Sequence, residues 1–190
     1  LTLKLRTFSD VADSPYRREI DTLAVYDLLA GYEDGTFCPE QTITRAEFCS
    51  ILSNALGLSA NSSALTFSDV ETDTWYADSI SALVSRGMIA GFDDGTFRPD
   101  ATITTQQAAA ILASASAWVC MDGYELASDS PDIESWLRYE YFSDWARNPA
   151  WRLDELGVST SIMGPKENLT REAAAAMLCS FLEQTHLLWN

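Results

Sequence analysis

Two helix starts in this 190-residue chain carry an arginine where an anion would be received. Thr44-Arg45-Ala46-Glu47 and Thr170-Arg171-Glu172 each place a guanidinium one residue inside a predicted helix. There it sits beside the free amides and the positive end of the helix dipole, a setting suited to a carboxylate. The competing role for Arg45 and Arg171 is to pair with a neighbouring acid on a very acidic surface. Trp75 and Trp145, with Tyr16 in the matching place nearer the N-terminus, offer flat apolar faces to a sugar ring, and core packing is the alternative. Asp10 and Asp69 read first as ties to turn or helix amides and second as groove residues. Gly31 and Gly91 would let a ligand approach the backbone.

The overall charge decides how such a ligand must be met. Acidic side chains number 28 against 12 basic ones, a net charge of −16, so nucleic acid is not an expected partner and any anionic ligand needs a local arginine. At 47% hydrophobic the chain can bury a sizeable core. Its longest strongly apolar run, Ala173 to Cys179, is far shorter than the roughly 20 residues of a membrane helix, so no membrane insertion is expected. The chain starts without a charged-then-apolar leader, and any export signal is expected outside it. Cys38, Cys49, Cys120 and Cys179 show no CxxC spacing, and with His186 as the single histidine they assemble no zinc site. Glu33-Asp34 and Asp93-Asp94 lack the alternating spacing of a calcium loop. Neither metal nor cofactor is expected. Cys49 and Cys179 lie in helical patterns and read as small buried hydrophobes; whether any disulfide forms stays open.

The elements that hold these residues repeat. Gly31-Tyr32-Glu33-Asp34-Gly35-Thr36-Phe37 returns sixty residues later as Gly91-Phe92-Asp93-Asp94-Gly95-Thr96-Phe97. Phe8-Ser9-Asp10-Val11 precedes the first copy and Phe67-Ser68-Asp69-Val70 the second, while Pro39 with Ile43-Thr44 and Pro99 with Ile103-Thr104 follow. Such a period marks stacked units, each unable to bury its apolar face alone. Within a unit, Ser14-Pro15 predicts a helix cap and first turn, with Tyr16, Ile20, Leu23 and Leu28 at helical spacing; Trp75 to Gly87 is the counterpart. Asp34-Gly35 supplies residues that tolerate positive φ at the turn. Thr44 and Glu47 form a capping box, kept in spacing by Thr104 and Gln107, and open a helix with Phe48, Ile51, Leu52, Ala55 and Leu56 on one face. Position 105 is threonine where Arg45 and Arg171 would match.

A third unit is weaker. Trp145 stands twelve residues before Gly157, the interval from Trp75 to Gly87, which places a helix there with Pro149 in its first turns. Pro165, Thr170 and Arg171 match Pro39, Thr44 and Arg45, and the Asp-Gly-Thr-Phe turn is missing. Residues 118–141 interrupt the rhythm as an insertion or a remodelled start of the third unit. The expected organisation is 1–64, 65–120 and 121–190, mainly α with short turn and extended segments. The three second helices should form a central bundle, with Ile51, Ile111 and Met177 buried at one equivalent position. Bulky and small residues alternate between copies (Phe48, Ala108, Ala174; Ala55, Ala115, Phe181), as a pseudo-threefold core requires.

Phe-Ser-Asp-Val, Gly-[Tyr/Phe]-x-Asp-Gly-Thr-Phe-x-Pro and Ile-Thr-Arg-Ala-Glu together resemble the S-layer homology repeat of bacterial cell-surface proteins. The likeness is strong in 8–58, strong but without the arginine in 67–117, and partial in 129–185. It implies a compact pseudo-trimer of three repeats that anchors an exported protein, non-covalently, to a secondary cell-wall polysaccharide attached to peptidoglycan. It further implies that the ligand lies in grooves between repeats, where the motif arginine meets an acidic, often pyruvylated, sugar. Arg45 and Arg171 are the matching positions. The chain would then be a monomeric piece of a larger extracellular, wall- or S-layer-associated protein, without catalytic activity. A glycoside hydrolase would need two carboxylates facing each other across a cleft, and no pair is singled out by its setting. A protein–protein scaffold or S-layer assembly module with reduced glycan binding is the alternative.

Overall fold

The Ile-Thr segments that precede the second helix of each unit meet at one place and hydrogen-bond in a ring. In the computed structural model, which describes residues 7–61, 64–119 and 139–188, Ile43 N donates to Leu169 O (3.0 Å), Leu169 N to Ile103 O (2.8 Å) and Ile103 N to Ile43 O (3.1 Å). Single antiparallel bridges Thr44–Thr102, Thr104–Asn168 and Thr42–Thr170 close the same cycle. One residue further on, Arg45 N, Thr105 N and Arg171 N donate to Ala101 O, Glu167 O and Gln41 O of the neighbouring unit. Amides that a helix start leaves without a partner are thereby satisfied by the next unit in the cycle, which ties helix position to repeat packing.

Six helices make up the described residues: α1 (Arg17–Val25), α2 (Arg45–Ala55), α3 (Ala77–Val84), α4 (Thr105–Val119), α5 (Asp144–Glu155) and α6 (Arg171–Gln184). The protein is mainly helical, and strand-like pairing among these residues is confined to the single bridges. The most extensive helix packing pairs α4 with α5, α1 with α6 and α2 with α3, so the first helix of each unit lies against the second helix of another. Contact between α2 and α6 is smaller. The second helices thus approach each other mainly through the ring at their starts, and their flanks are covered by first helices.

This arrangement changes one core expectation. Ile111 and Met177 are buried, but Ile51 at the equivalent position is half-buried. Phe48, Leu52, Ala108, Leu112, Ala115, Ala174, Leu178 and Phe181 are fully enclosed, whereas Ala55 is half-buried. Cys49 and Cys179 are buried free thiols, and burial pushes both up to about 12. Cys120 and most of the 118–141 insertion lie outside the described residues.

Caps differ in detail from the sequence expectation. Thr44 and Glu47 make both bonds of the capping box. At the second copy Thr104 N donates to Gln107 Oε1 (3.1 Å), but Thr104 Oγ1 has no partner, so half the box survives. Ser14 does not cap α1, which begins at Arg17 after Tyr16; its Oγ accepts from Tyr16 N and donates to Glu172 of α6, tying the first unit to the third.

Candidate functional site

Each repeated turn is braced by the aspartate that opens its unit. The Asp10 carboxylate accepts from Phe37 N (2.8 Å) and Cys38 N (2.7 Å), and Asp69 does the same for Phe97 N (2.8 Å) and Arg98 N (2.8 Å). Burial pushes the Asp10 carboxyl up, but the two amides more than offset it and leave the group below its usual range. These bonds hold Cys38 and Arg98 at positive φ (55° and 59°), which nothing in their residue type requires. Within the turn, Asp94 accepts from Thr96 Oγ1 (2.6 Å), Arg98 Nη2 (2.9 Å) and Thr96 N (3.0 Å), which together draw it down to about 2.

Gly31 and Gly91 have a different use from the one their type suggested. A Cβ on Gly31 would lie 2.3 Å from Thr36 O and 2.4 Å from the Phe8 ring, and one on Gly91 would lie 2.4 Å from Phe67 and 2.6 Å from Thr96 O. The space beside each glycine is filled by the unit's own phenylalanine. Gly91 nevertheless lines the cleft described next.

Arg45, at the start of α2, reaches across to the turn of the second unit. Its Nε donates to Phe97 O (2.9 Å), and its guanidinium lies over the rings of Phe97 (4.6 Å) and Phe92 (5.0 Å). Arg45 is 5% exposed, and burial pulls its guanidinium down from its ordinary value. No described carboxylate stands within ion-pair distance of it. Arg45 lines a cleft of about 550 Å³ with Gly91, Phe92, Gln107 and Ile111 of the second unit and Trp145 of the third. Trp145 is 55% exposed. All three units therefore contribute to one cleft, which presents a buried cation and an open aromatic face.

Arg171 repeats the reach and differs in its neighbours. Nε donates to Phe37 O (2.9 Å), Nη2 to Ala30 O (2.9 Å), and the guanidinium stacks over Phe37 (4.7 Å) and Tyr32 (5.2 Å). Its Nη1 lies 3.6 Å from Glu47 Oε1. The residue sixty positions after Glu47 is Gln107, so the counterpart that lines the Arg45 cleft carries no charge. The third position, Thr105, is fully buried, and its Oγ1 finds no hydrogen-bond partner. The three equivalent places thus hold an arginine without a described counter-ion, an arginine with one, and no cation.

Trp75 is 68% exposed with its ring edge-on to Tyr76 (5.2 Å), and Tyr16 is half-buried. Core packing is excluded for both tryptophans. The structure brings Arg45, Gly91 and Trp145 together. It does not show Trp75 or Tyr16 in contact with an arginine of the motif. In the third unit, which lacks the turn, Asp154 accepts from Thr160 N (2.9 Å), Thr160 Oγ1 (3.1 Å) and Tyr139 Oη (2.6 Å).

The chain is similar to known proteins over most of its length. An amylopullulanase of Thermoanaerobacterium thermosulfurigenes is 30% identical over 188 residues, 95% of this chain and 10% of that protein. The surface-layer 125 kDa protein of Lysinibacillus sphaericus is 29% identical over 90% of the chain and 14% of its own length. The cellulosome-anchoring protein of Acetivibrio thermocellus is 30% identical over 80% and 35%. The chain thus spans a small part of the relatives it matches. Residues 7–49 and 66–109 match the S-layer homology domain, and they are the two units with a complete turn, so the chain belongs to the S-layer homology family.

Proposed function

We propose that this chain is a cell-wall anchoring module of a bacterial surface protein, which binds an acidic secondary cell-wall polysaccharide without altering it. The carrying observation is the Arg45 cleft. A guanidinium that is 5% exposed and has no carboxylate in ion-pair reach among the described residues faces an opening walled by an exposed tryptophan. A buried cation gains most when an anion completes it. A pyruvylated sugar supplies both a carboxylate for Arg45 and a ring for Trp145. The relatives named for the surface layer and for cellulosome anchoring support the anchoring role. Enzymatic names among the relatives describe proteins of which this chain matches a small fraction, so such activity resides with the remainder of those proteins. The module works at the extracellular face of the wall, as a monomeric part of a longer chain whose partner is the peptidoglycan-linked polymer.

Sedimentation with purified cell walls, before and after extraction of the polysaccharide, tests this reading. The parent chain should pellet with intact walls and stay in solution with extracted ones, and Arg45→Gln should pellet poorly with both. Equal pelleting with extracted walls would point to the scaffold alternative.

A further inference from the structure

The Arg45 cleft continues into a second one of about 470 Å³ that shares Gly87 and Ser114 with it. Its walls carry Arg86, Arg152 and Trp118. The Arg86 guanidinium lies 5.8 Å from the centre of the Trp118 ring, and Trp118 is 38% exposed. Arg152 Nε is buried and has no hydrogen-bond partner. Neither arginine is in ion-pair reach of a described carboxylate, although acids outnumber bases more than twofold in the chain. Two guanidiniums and an indole around an opening form a receptor for an anionic ring.

Two helix faces make the two clefts one trough. On α5, Trp145, Asn148, Pro149 and Arg152 are spaced i, i+3, i+4 and i+7; Trp145 lines the first cleft and the other three the second. Seven residues of helix separate Trp145 from Arg152 by about 10 Å on one face, the scale of a disaccharide. On α4, Gln107 and Ile111 face the first cleft, Ser114 both, and Trp118 the second.

This feature is not part of the repeat. The residues sixty positions before Arg86 and Trp118 are Tyr26 and Leu58, and the position equivalent to Arg152 in the second unit is Ala82. The basic cleft belongs to the boundary between the second and third units alone, which is also where the Arg45 cleft opens. We propose that Arg86, Arg152 and Trp118 form a second subsite for the next acidic sugar of the polymer held at Arg45. This rests on the anchoring reading above and adds the direction in which the glycan runs and the spacing of its charges.

Arg86 also has a structural task, since its Nη1 donates to Ala82 O (2.8 Å) and approaches Ser59 O (3.4 Å) in the segment joining the first two units. Arg152 and Trp118 are therefore the residues to change. The probes are a disaccharide with one pyruvate ketal and a tetrasaccharide with two, titrated by calorimetry. The parent chain should bind the tetrasaccharide at least about tenfold tighter, the gain from one added charged contact. Arg152→Gln and Trp118→Ala should each remove that gain and leave disaccharide affinity and the thermal midpoint unchanged. Arg152→Lys should retain part of it. Tetrasaccharide affinity equal to the parent's in both Arg152→Gln and Trp118→Ala would overturn the second subsite. Arg45→Gln binding the disaccharide like the parent would instead overturn the anchoring reading.

Discussion

Arg171 Nη1 stands 3.6 Å from Glu47 Oε1 across the boundary between the third and first units, and this contact separates two arginine settings that the repeat would make alike. The glutamate serves its own helix cap through Oε2 and screens the arginine through Oε1. An incoming carboxylate would meet an arginine already engaged and a second negative charge beside it. Arg45 instead shares its cleft with the uncharged Gln107. Arg45→Gln should weaken glycan binding by about ten- to a hundredfold, the scale of a lost charged hydrogen bond of about 1.5–3 kcal/mol, whereas Arg171→Gln should change it little. Glu47→Gln should give Arg171 the uncharged neighbour that Arg45 has and raise wall binding through a second site. Calorimetric stoichiometry decides it: one site in the parent and two in Glu47→Gln are expected, and equal losses in Arg45→Gln and Arg171→Gln would refute the distinction.

The close approach of Phe8 to Gly31 predicts two unlike glycine effects in one turn. Gly31→Ala inserts a methyl 2.3 Å from Thr36 O and 2.4 Å from the Phe8 ring, overpacking of about 1–3 kcal/mol. Gly35 has φ of +83° and open space around it, so Gly35→Ala costs about 1–2 kcal/mol of backbone strain alone. A double-mutant cycle with Phe8→Leu should show coupling for Gly31→Ala and none for Gly35→Ala.

Core substitutions should rank by enclosure. Leu52→Ala and Leu178→Ala, both at fully buried positions, should cost about 2–5 kcal/mol in denaturant unfolding. Ile51→Ala should cost clearly less, because Ile51 is half-buried although it shares its stripe position with Ile111 and Met177. Equal losses at 51 and 52 would contradict the packing.

What could be read from the sequence was local. Thr44 with Glu47, and Asp34-Gly35 before Thr36, specify a cap and a turn from neighbours a few residues away, and both form. Which Ile-Thr segment bonds which is set by three distant stretches closing a ring, and no spacing encodes that. The stripe through Phe48, Ile51 and Leu52 marks an apolar face but not which of its residues is left half-buried. Gln107 could be read as a substitute for Glu47 in the cap, and it does reach back to Thr104 N. Its second meaning, an absent charge opposite Arg45, needs a contact across sixty residues. Arg86, Arg152 and Trp118 carried no repeat signal; the packing of α4 on α5 brings Trp118 and Arg152 together, and Arg86 joins them from the end of α3.

Acid should loosen the turns before it unfolds the core. Asp94 is drawn down to about 2 by Thr96 and Arg98, against 3.8 for the free group, and Asp34 is lowered by Thr36 in the same way. A carboxyl with a depressed folded pKa stabilises the fold above its unfolded value and loses that contribution as pH falls toward the folded one. The thermal midpoint should therefore drop between about pH 4 and pH 2. Asp94→Asn should start lower at pH 6 and fall less steeply across that window; parallel curves for the two chains would refute the assignment.

Thr105 gives the last prediction, because it separates what the third position lost in chemistry from what it left in the core. The side chain is fully buried at the start of α4 and its hydroxyl has no partner, although its amide donates to Glu167 O (3.1 Å). A buried hydroxyl without a hydrogen bond carries a desolvation cost of about 1–3 kcal/mol. Valine has the same shape without the polar atom and leaves the amide free to keep its bond. Thr105→Val should therefore raise stability by about 1 kcal/mol and leave glycan binding untouched, since no cation is removed. Thr105→Arg is the contrasting change. The interval from Gly87 to Pro99 is twelve residues and that from Gly157 to Pro165 is eight, so the third unit lacks the turn whose aromatic rings lie beneath Arg45 and Arg171. An arginine placed there would enter the core without that bed, and it should lower stability without creating a third binding site. Unfolding curves and calorimetry on the two variants read both properties: a Thr105→Val chain less stable than the parent would show that the hydroxyl is satisfied, and a third site in Thr105→Arg would show that the missing turn is not needed.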